Sequence, residues 1–462
     1  MAVRPLRLVG WFSCLVVFGQ SMVLVADAAE LRRRGVVGVQ LAPVPAAEGE
    51  GAAQASKGVL LAAVVPGGAA EAAGLQANDI VVKIGDTELT AVPDFSQALR
   101  SFYGGDKVPF TIQRGKETLT KEVVLAERPR ETSDLYEVMY ESVEVNGLRL
   151  RSYVTRPQKS EGKRPAVLLI PSPGTFPMEL GPQMANHPYR KLIDALTRAG
   201  LVTMRVDRAG VGESDGSNPM ETDLAMDAES FRNAARKLAT YDFVDADRVF
   251  IYAFGMGSAI APLAAKDSGV RGVALYGSTI ARTTSESLPE ALGRMWWLYD
   301  PDDKEIDQKV KLATKYVKLC AEGTKPGEAL SQCDGLREAM RRFSRQGERD
   351  DHVAGIYHPY FLNICRTDYA KAWGEVGSEV LVLWGEADYQ ANRKDSEFIA
   401  EVVNKKHSGR ATFKTLPKCD HVGNKADDPE DSFLTGYSAG EFNPLLVETL
   451  VSWMEKLGGG KA

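Results

Sequence analysis

Apolar positions along the chain follow two rhythms, and the change between them divides it. From Gly35 to about Glu127, short β-rich runs are broken by turns. The run Gly58-Val59-Leu60-Leu61-Ala62-Ala63-Val64-Val65 is apolar, partly β-branched and followed by Pro66-Gly67, which predicts a buried strand. Pro66 to Leu75 reads as a turn feeding a one-turn helix, and Asn78 to Asp86 as a strand ending in a turn. Residues 92–102 carry helical periodicity through Phe95, Leu99 and Phe102. Residues 108–113 and 117–124 predict a closing strand pair, and 128–135 a charged linker.

Beyond the linker the rhythm changes. Two alternating runs, 140–145 and 148–154, flank Asn146-Gly147, a strong two-residue hairpin signal. Strands are then expected at 166–170, 202–206, 249–252 and 272–276, with helices at 189–199 and 222–238. That alternation predicts a mostly parallel sheet covered on both faces. Between 279 and 373 it stops, and a polar, helical segment carries Met295, Trp296, Trp297, Tyr299 and Met340 among its large apolar residues. We read it as a helical cap inserted over the carboxyl ends of the strands, where ligands bind in such sheets. The sheet pattern resumes at 380–384 and 411–416, with helices at 394–404 and 444–456. The expected fold class is α/β, preceded by a small α+β domain.

The first residues add a destination. Arg4 and Arg7 precede an apolar run, and Ala26-Asp27-Ala28 offers small residues where a signal peptidase reads. Cleavage before Ala29 is expected, with residues 1–28 a signal peptide and the protein periplasmic or secreted. The alternative is an uncleaved membrane anchor. In an oxidising compartment Cys320 and Cys333 are candidates for a disulfide across a helical hairpin. A net charge of −6 without a Lys/Arg stripe argues against nucleic-acid binding. The five histidines are scattered and no cysteine has metal-ligand spacing, so neither metal nor cofactor is expected.

The segment Gly68-Ala69-Ala70-Glu71-Ala72-Ala73-Gly74-Leu75-Gln76-Ala77-Asn78-Asp79-Ile80 resembles the PDZ domains attached to bacterial exported proteases. The resemblance places a PDZ domain at 29–128, lengthened by an insertion at about 43–57. It implies that the loop Val36-Val37-Gly38-Val39 presents N–H groups to the terminal carboxylate of a partner's peptide, which adds as a strand.

Gly385-Glu386-Ala387-Asp388 follows one late apolar strand and Pro417-Lys418-Cys419-Asp420-His421 the next. An acid and then a histidine at consecutive strand ends is the order that acyl transfer needs, with Asp388 orienting the imidazole of His421. With Arg205-Val206-Asp207-Arg208-Ala209-Gly210-Val211-Gly212-Glu213-Ser214-Asp215-Gly216, these residues resemble the α/β-hydrolase family, and most its exported esterase-like and peptidase-like branch with a long cap. The resemblance assigns residues 129–462 to that domain and 279–373 to the cap. It implies a small acyl, ester or peptide ligand under the cap.

The family's nucleophile elbow is Gly-x-Ser-x-Gly. Here the strand runs into Ala253-Phe254-Gly255-Met256-Gly257, so Gly255 falls where serine belongs. Glycine tolerates the positive φ of an elbow. The resemblance makes the N–H of Met256 one oxyanion donor and places the other near Pro173, which has no N–H. Ser258 lies three residues on, inside the helix. Serine-type turnover is therefore expected to be weak or absent. Two alternatives stand beside this impaired hydrolase: a working enzyme in which His421 and Asp388 activate water, and a non-catalytic binding scaffold.

Overall fold

A computed structural model of the chain describes residues 31–45, 57–159, 161–181, 184–216, 218–341, 350–436 and 440–458; the expected signal peptide and most of the 43–57 insertion lie outside them. In the N-terminal module, strands Val39–Pro43, Val59–Val64, Ile80–Ile84, Lys107–Arg114 and Glu117–Val124 lie side by side in that order. Lys107–Arg114 shows how its sequence sets this: Val108, Phe110 and Ile112 alternate with the more exposed Pro109, Thr111 and Gln113 and are wholly buried. They pack with Phe95 and Ala98 of helix Val92–Leu99. That helix ends three residues before the predicted end at 102, at a C-cap on Arg100, and Phe102 N–H returns to Leu99 O at 3.0 Å. Its start is held by Asp94, whose carboxylate accepts from the N–H groups of Thr90 (2.7 Å) and Ala91 (2.9 Å).

The larger module is an eight-stranded sheet. Its strands are β1 (Tyr136–Val145), β2 (Leu148–Pro157), β3 (Arg164–Ile170), β4 (Val202–Val206), β5 (Val244–Phe254), β6 (Gly272–Tyr276), β7 (Glu379–Gly385) and β8 (Ala411–Leu416). The order across the sheet is β8-β7-β6-β5-β3-β4-β2-β1. β1 and β2 form the hairpin at Asn146-Gly147, β2 meets β4 antiparallel, and every pair from β4 to β8 is parallel. The central strands are apolar on both sides because both faces are covered. Leu168, Ile251 and Val273 pack on α2 (Leu224–Leu238) and α3 (Gly257–Ala265); Val167, Leu169, Phe250 and Tyr252 pack toward α1 (Pro188–Arg198) and the C-terminal helix Pro444–Leu457.

Between β6 and β7 the chain forms helices, led by α4 (Thr284–Tyr299) and α5 (Ile306–Ala321), which pack on each other. Trp296, Tyr316, Cys320, Cys333, Met340 and Phe361 make a separate apolar cluster there. The expected disulfide is not formed. Cys320 and Cys333 are not joined to each other and both lie buried in this cluster, while Cys419 is buried elsewhere. Their burial is met by packing, as small apolar side chains.

The two modules meet through buried charge. Arg33 pairs with Glu179 and with Glu213, each at 2.7 Å. The same guanidinium donates to the carbonyls of Arg128 (2.7 Å) and Pro129 (3.0 Å). Arg34 spans the joint, donating to Arg100 O on one side and Gly212 O on the other. Gly35–Val36 pairs antiparallel with Ala126–Glu127, so the chain leaves the N-terminal module beside the point at which it began.

Candidate functional site

β5 delivers Gly255 and α3 carries the chain away, with Met256 at the helix N-cap. Gly255 adopts φ of 55° and its N–H donates to Tyr276 O at 3.0 Å. A residue with a side chain is strained in this left-handed conformation, and glycine is not. The direction in which a side chain would point is nevertheless defined. A Cβ on residue 255 would lie 3.7 Å from His421 Nε2 and 2.7 Å from Ser172 Oγ.

His421 is set by the loop after β8. Asp420 Oδ1 accepts from Val422 N (3.0 Å) and Asn424 N (2.7 Å), and the Tyr276 hydroxyl donates to Asp420 O. This small polar cage fixes the imidazole from behind. His421 Nδ1 then meets Asp388 Oδ2 at 2.9 Å, with both residues buried. The second oxygen of Asp388 accepts from Gln390 N and Ala391 N, each at 2.8 Å. The carboxylate accepts, so Nδ1 is the donor in this contact and Nε2 is the ring nitrogen nearest position 255. Burial raises the pKa of the Asp420 carboxyl, with its two backbone donors and His421 acting against that rise.

Of the residues singled out from the sequence, Gly255, Met256, Asp388 and His421 thus come together. Pro173 lies one residue beyond the nearest contact. It is Ser172 whose Oγ receives the N–H of Met256, at 3.1 Å, while lying 3.4 Å from Phe254 O. Ser258 turns away: it is buried and its Oγ donates to Gly255 O at 2.7 Å. Cys419 is also buried, its Sγ 3.1 Å from the Tyr276 hydroxyl oxygen, and burial pushes its thiol up to about 12. A thiol so raised is not a nucleophile near neutral pH.

Residues that sequence reasoning missed complete the site. Gly277, at φ of 62°, passes so close that a Cβ there would lie 3.1 Å from His421 Nδ1 and 3.2 Å from Asp388 Oδ2. Its signal was a glycine directly after a buried strand. Arg294 on α4 donates to Tyr389 O (3.0 Å), Gln390 O (2.9 Å) and Asn392 Oδ1, tying the cap to the loop that holds Asp388. Nothing in the local sequence pairs these positions.

Above this arrangement is a cavity of about 410 Å³, floored by Ser172, Met256 and His421 and walled by Leu288, Met295 and Met340 of the cap. A second, largely apolar cavity of about 500 Å³ is lined by His187, Tyr189, Phe254 and Phe442. Phe254, which lines this second cavity, has its ring 5.0 Å from that of His421. The floor offers a base, its acid and one N–H donor to a polarised carbonyl, with apolar walls for an acyl group.

In the N-terminal module Val36 ends the strand paired with Ala126. Val37 is buried, its carbonyl accepting from Ala70 N at 2.8 Å, and Gly38 O accepts from Val65 N at 2.9 Å. Val39 begins the strand at the edge of the sheet, alongside helix Val92–Leu99. An edge strand beside a helix is the geometry in which a peptide is added as a further strand.

Residues 35–125 match the profile of the PDZ domain and residues 167–433 that of the Alpha/beta hydrolase family. The esterase EstD of Thermotoga maritima is 23% identical over 277 residues, covering 59% of this chain and 57% of that protein's length. Among solved structures, Est1E from Butyrivibrio proteoclasticus aligns with 70% of this chain and 99% of its own at 14% identity, with a TM-score of 0.41. Acetyl xylan esterase 1 from a Thermoanaerobacterium species aligns with 72% and 86% at 14% identity, with a TM-score of 0.39.

Proposed function

The chain belongs to the alpha/beta hydrolase family, and from that premise we propose that it is an exported, esterase-class member whose serine-type turnover is weak or absent because Gly255 occupies the nucleophile position. One observation supports this most directly: a side chain on residue 255 would start 3.7 Å from His421 Nε2, whose other nitrogen is held by Asp388 at 2.9 Å. Base, acid and turn are ready for a hydroxyl that residue 255 does not have. Loss of the serine nucleophile alone costs about 10⁶ in comparable hydrolases.

The ligand read from the cavity is a small acyl ester or a peptide. The PDZ domain, by the nature of such domains, takes a carboxyl-terminal peptide, and the loop Val36-Val37-Gly38-Val39 is the place for it. Export rests on the signal-like first residues and places the protein in the periplasm or outside the cell.

The second reading, His421 activating a water in place of the serine, is favoured by the intact Asp388–His421 contact. General-base catalysis supplies about 10²–10⁴. Hydrolysis of short-chain aryl esters by the wild type, Gly255→Ser and His421→Ala tests these readings. The impaired-hydrolase reading expects a near-background wild type and a rate raised by Gly255→Ser. A wild type as fast as an ordinary esterase would overturn it. A Gly255→Ser rate no higher than wild type would show that the acid–histidine site is not a hydrolase site.

A further inference from the structure

Ser172 stands in the space that the missing side chain leaves. It follows β3 directly, on the loop Pro171-Ser172-Pro173-Gly174, and is half-buried in the floor of the cavity of about 410 Å³ together with Met256 and His421. Its Oγ lies 2.7 Å from where a Cβ on residue 255 would be, and His421 Nε2 lies 3.7 Å from that same point. The hydroxyl and the basic nitrogen therefore converge on one small volume from opposite parts of the fold. Met256 N–H, the donor expected to face a developing oxyanion, reaches Ser172 Oγ at 3.1 Å. Among the described residues the other partner of Ser172 Oγ is Phe254 O at 3.4 Å, a long contact that leaves the hydroxyl hydrogen easily redirected. Prolines on both sides stiffen the loop: the ring of Pro171 fixes its own φ, and Pro173 restricts Ser172 to extended backbone.

We propose that Ser172 is a substitute nucleophile, so that the weak turnover left by Gly255 passes through a serine borrowed from the loop after β3. This rests on the acid–histidine site proposed above and names the group that works with it. Ser172 Oγ attacks the carbonyl carbon of an ester, and its proton passes to His421 Nε2. The carbonyl electron pair moves onto oxygen, which the N–H of Met256 stabilises. Re-forming the carbonyl breaks the bond to the alkoxy group, which leaves as the alcohol with the proton from His421. Water, deprotonated by His421, then attacks the acyl-Ser172 ester; collapse releases the carboxylic acid and returns the hydroxyl. A borrowed hydroxyl is slower than one at the elbow, since misplacement by about 1 Å costs about a hundredfold.

An alkyl fluorophosphonate, which phosphonylates only activated serines, is the direct probe. The full chain is treated with it, digested, and the adduct located by mass spectrometry, with 4-nitrophenyl butyrate hydrolysis followed in parallel. The adduct is expected on Ser172 in the wild type and absent from Ser172→Ala and His421→Ala. Ser172→Ala is also expected to take the weak wild-type rate down to background. No adduct on Ser172 in the wild type, or a Ser172→Ala protein that hydrolyses the ester at the wild-type rate, overturns the proposal. The double variant Ser172→Ala/Gly255→Ser separates the two levels. If it is labelled at residue 255 while wild-type Ser172 is not, the acid–histidine site stands and the role of Ser172 falls. If neither protein is labelled, both fall.

Discussion

Arg33 and Glu179 form a 2.7 Å ion pair with side chains only 4% and 1% exposed, linking the segment ahead of the PDZ sheet to the loop after β3. Glu213 shares the same guanidinium at 2.7 Å. Burial raises the pKa of the Glu213 carboxyl, while Arg33 and Arg151 oppose that rise. Removing the arginine takes one partner from two buried carboxylates and leaves Glu179 with Arg128 and Glu213 with Arg151, so Arg33→Ala is expected to destabilise the chain by up to about 3–5 kcal/mol. Urea unfolding measures this. Faster proteolysis in the linker at 128–135 should accompany it, because Arg33 also binds the carbonyls of Arg128 and Pro129.

Gly255→Ser should raise ester turnover and lower stability together. The new side chain is held at φ of 55°, and its Cβ would press on Ser172 Oγ at 2.7 Å. A strained residue of this kind costs about 1–3 kcal/mol. Adding Ser172→Ala removes the crowding, so the double variant should melt higher than Gly255→Ser alone. Thermal melts of the single and double variants check the sign.

Gly277→Ala is expected to separate acid from base without touching either. Its methyl would sit 3.1 Å from His421 Nδ1 and 3.2 Å from Asp388 Oδ2, at φ of 62°. In the Gly255→Ser background, kcat should fall about a hundredfold, the order expected for a reacting group displaced by about 1 Å. The downfield Nδ1 proton resonance of His421 should be lost as well. A role confined to the turn would leave that resonance in place.

The pH dependence of stability should carry the mark of Asp207. Its carboxyl accepts from Met178 N (2.5 Å) and Tyr153 OH (2.8 Å), and burial pushes it up to about 7. Between about pH 4, the ordinary carboxylate value, and pH 7, the unfolded chain has released this proton and the folded chain retains it. The contribution of this group to stability therefore falls as pH rises, by on the order of 1.4 kcal/mol per unit. Asp207→Asn should flatten the curve across that window in urea titrations at pH 5 and pH 8. A slope identical to wild type would count against the raised value.

Much of the sheet was legible because its determinants are local. Asn146-Gly147 specified its hairpin through turn chemistry, and the apolar runs of β3, β5 and β7 announced strands buried on both faces. The acid and histidine could be placed because chain order and strand ends suffice to find them. What escaped was contact between distant residues. Ser172 and Met256 are 84 positions apart, and Arg33 and Glu179 are 146 apart. No periodicity encodes such pairs, since they arise only where separate strand ends meet. The disulfide expectation failed for a related reason. Spacing alone made Cys320 and Cys333 candidates, but the cap buries both in its apolar cluster without joining them.

The pairing of Gly35–Val36 with Ala126–Glu127 has a bearing on how such a protein is assembled from parts. Arg128 N–H donates to Arg34 O at 3.0 Å, so the chain's points of departure and return are neighbours. The described residues between them enter and leave at one place, which is what an exchangeable cassette needs. Another domain with adjacent termini could be spliced in at Arg34 and Arg128 while the Arg33 pairs and the hydrolase sheet kept their places, giving the same pocket a different recognition head.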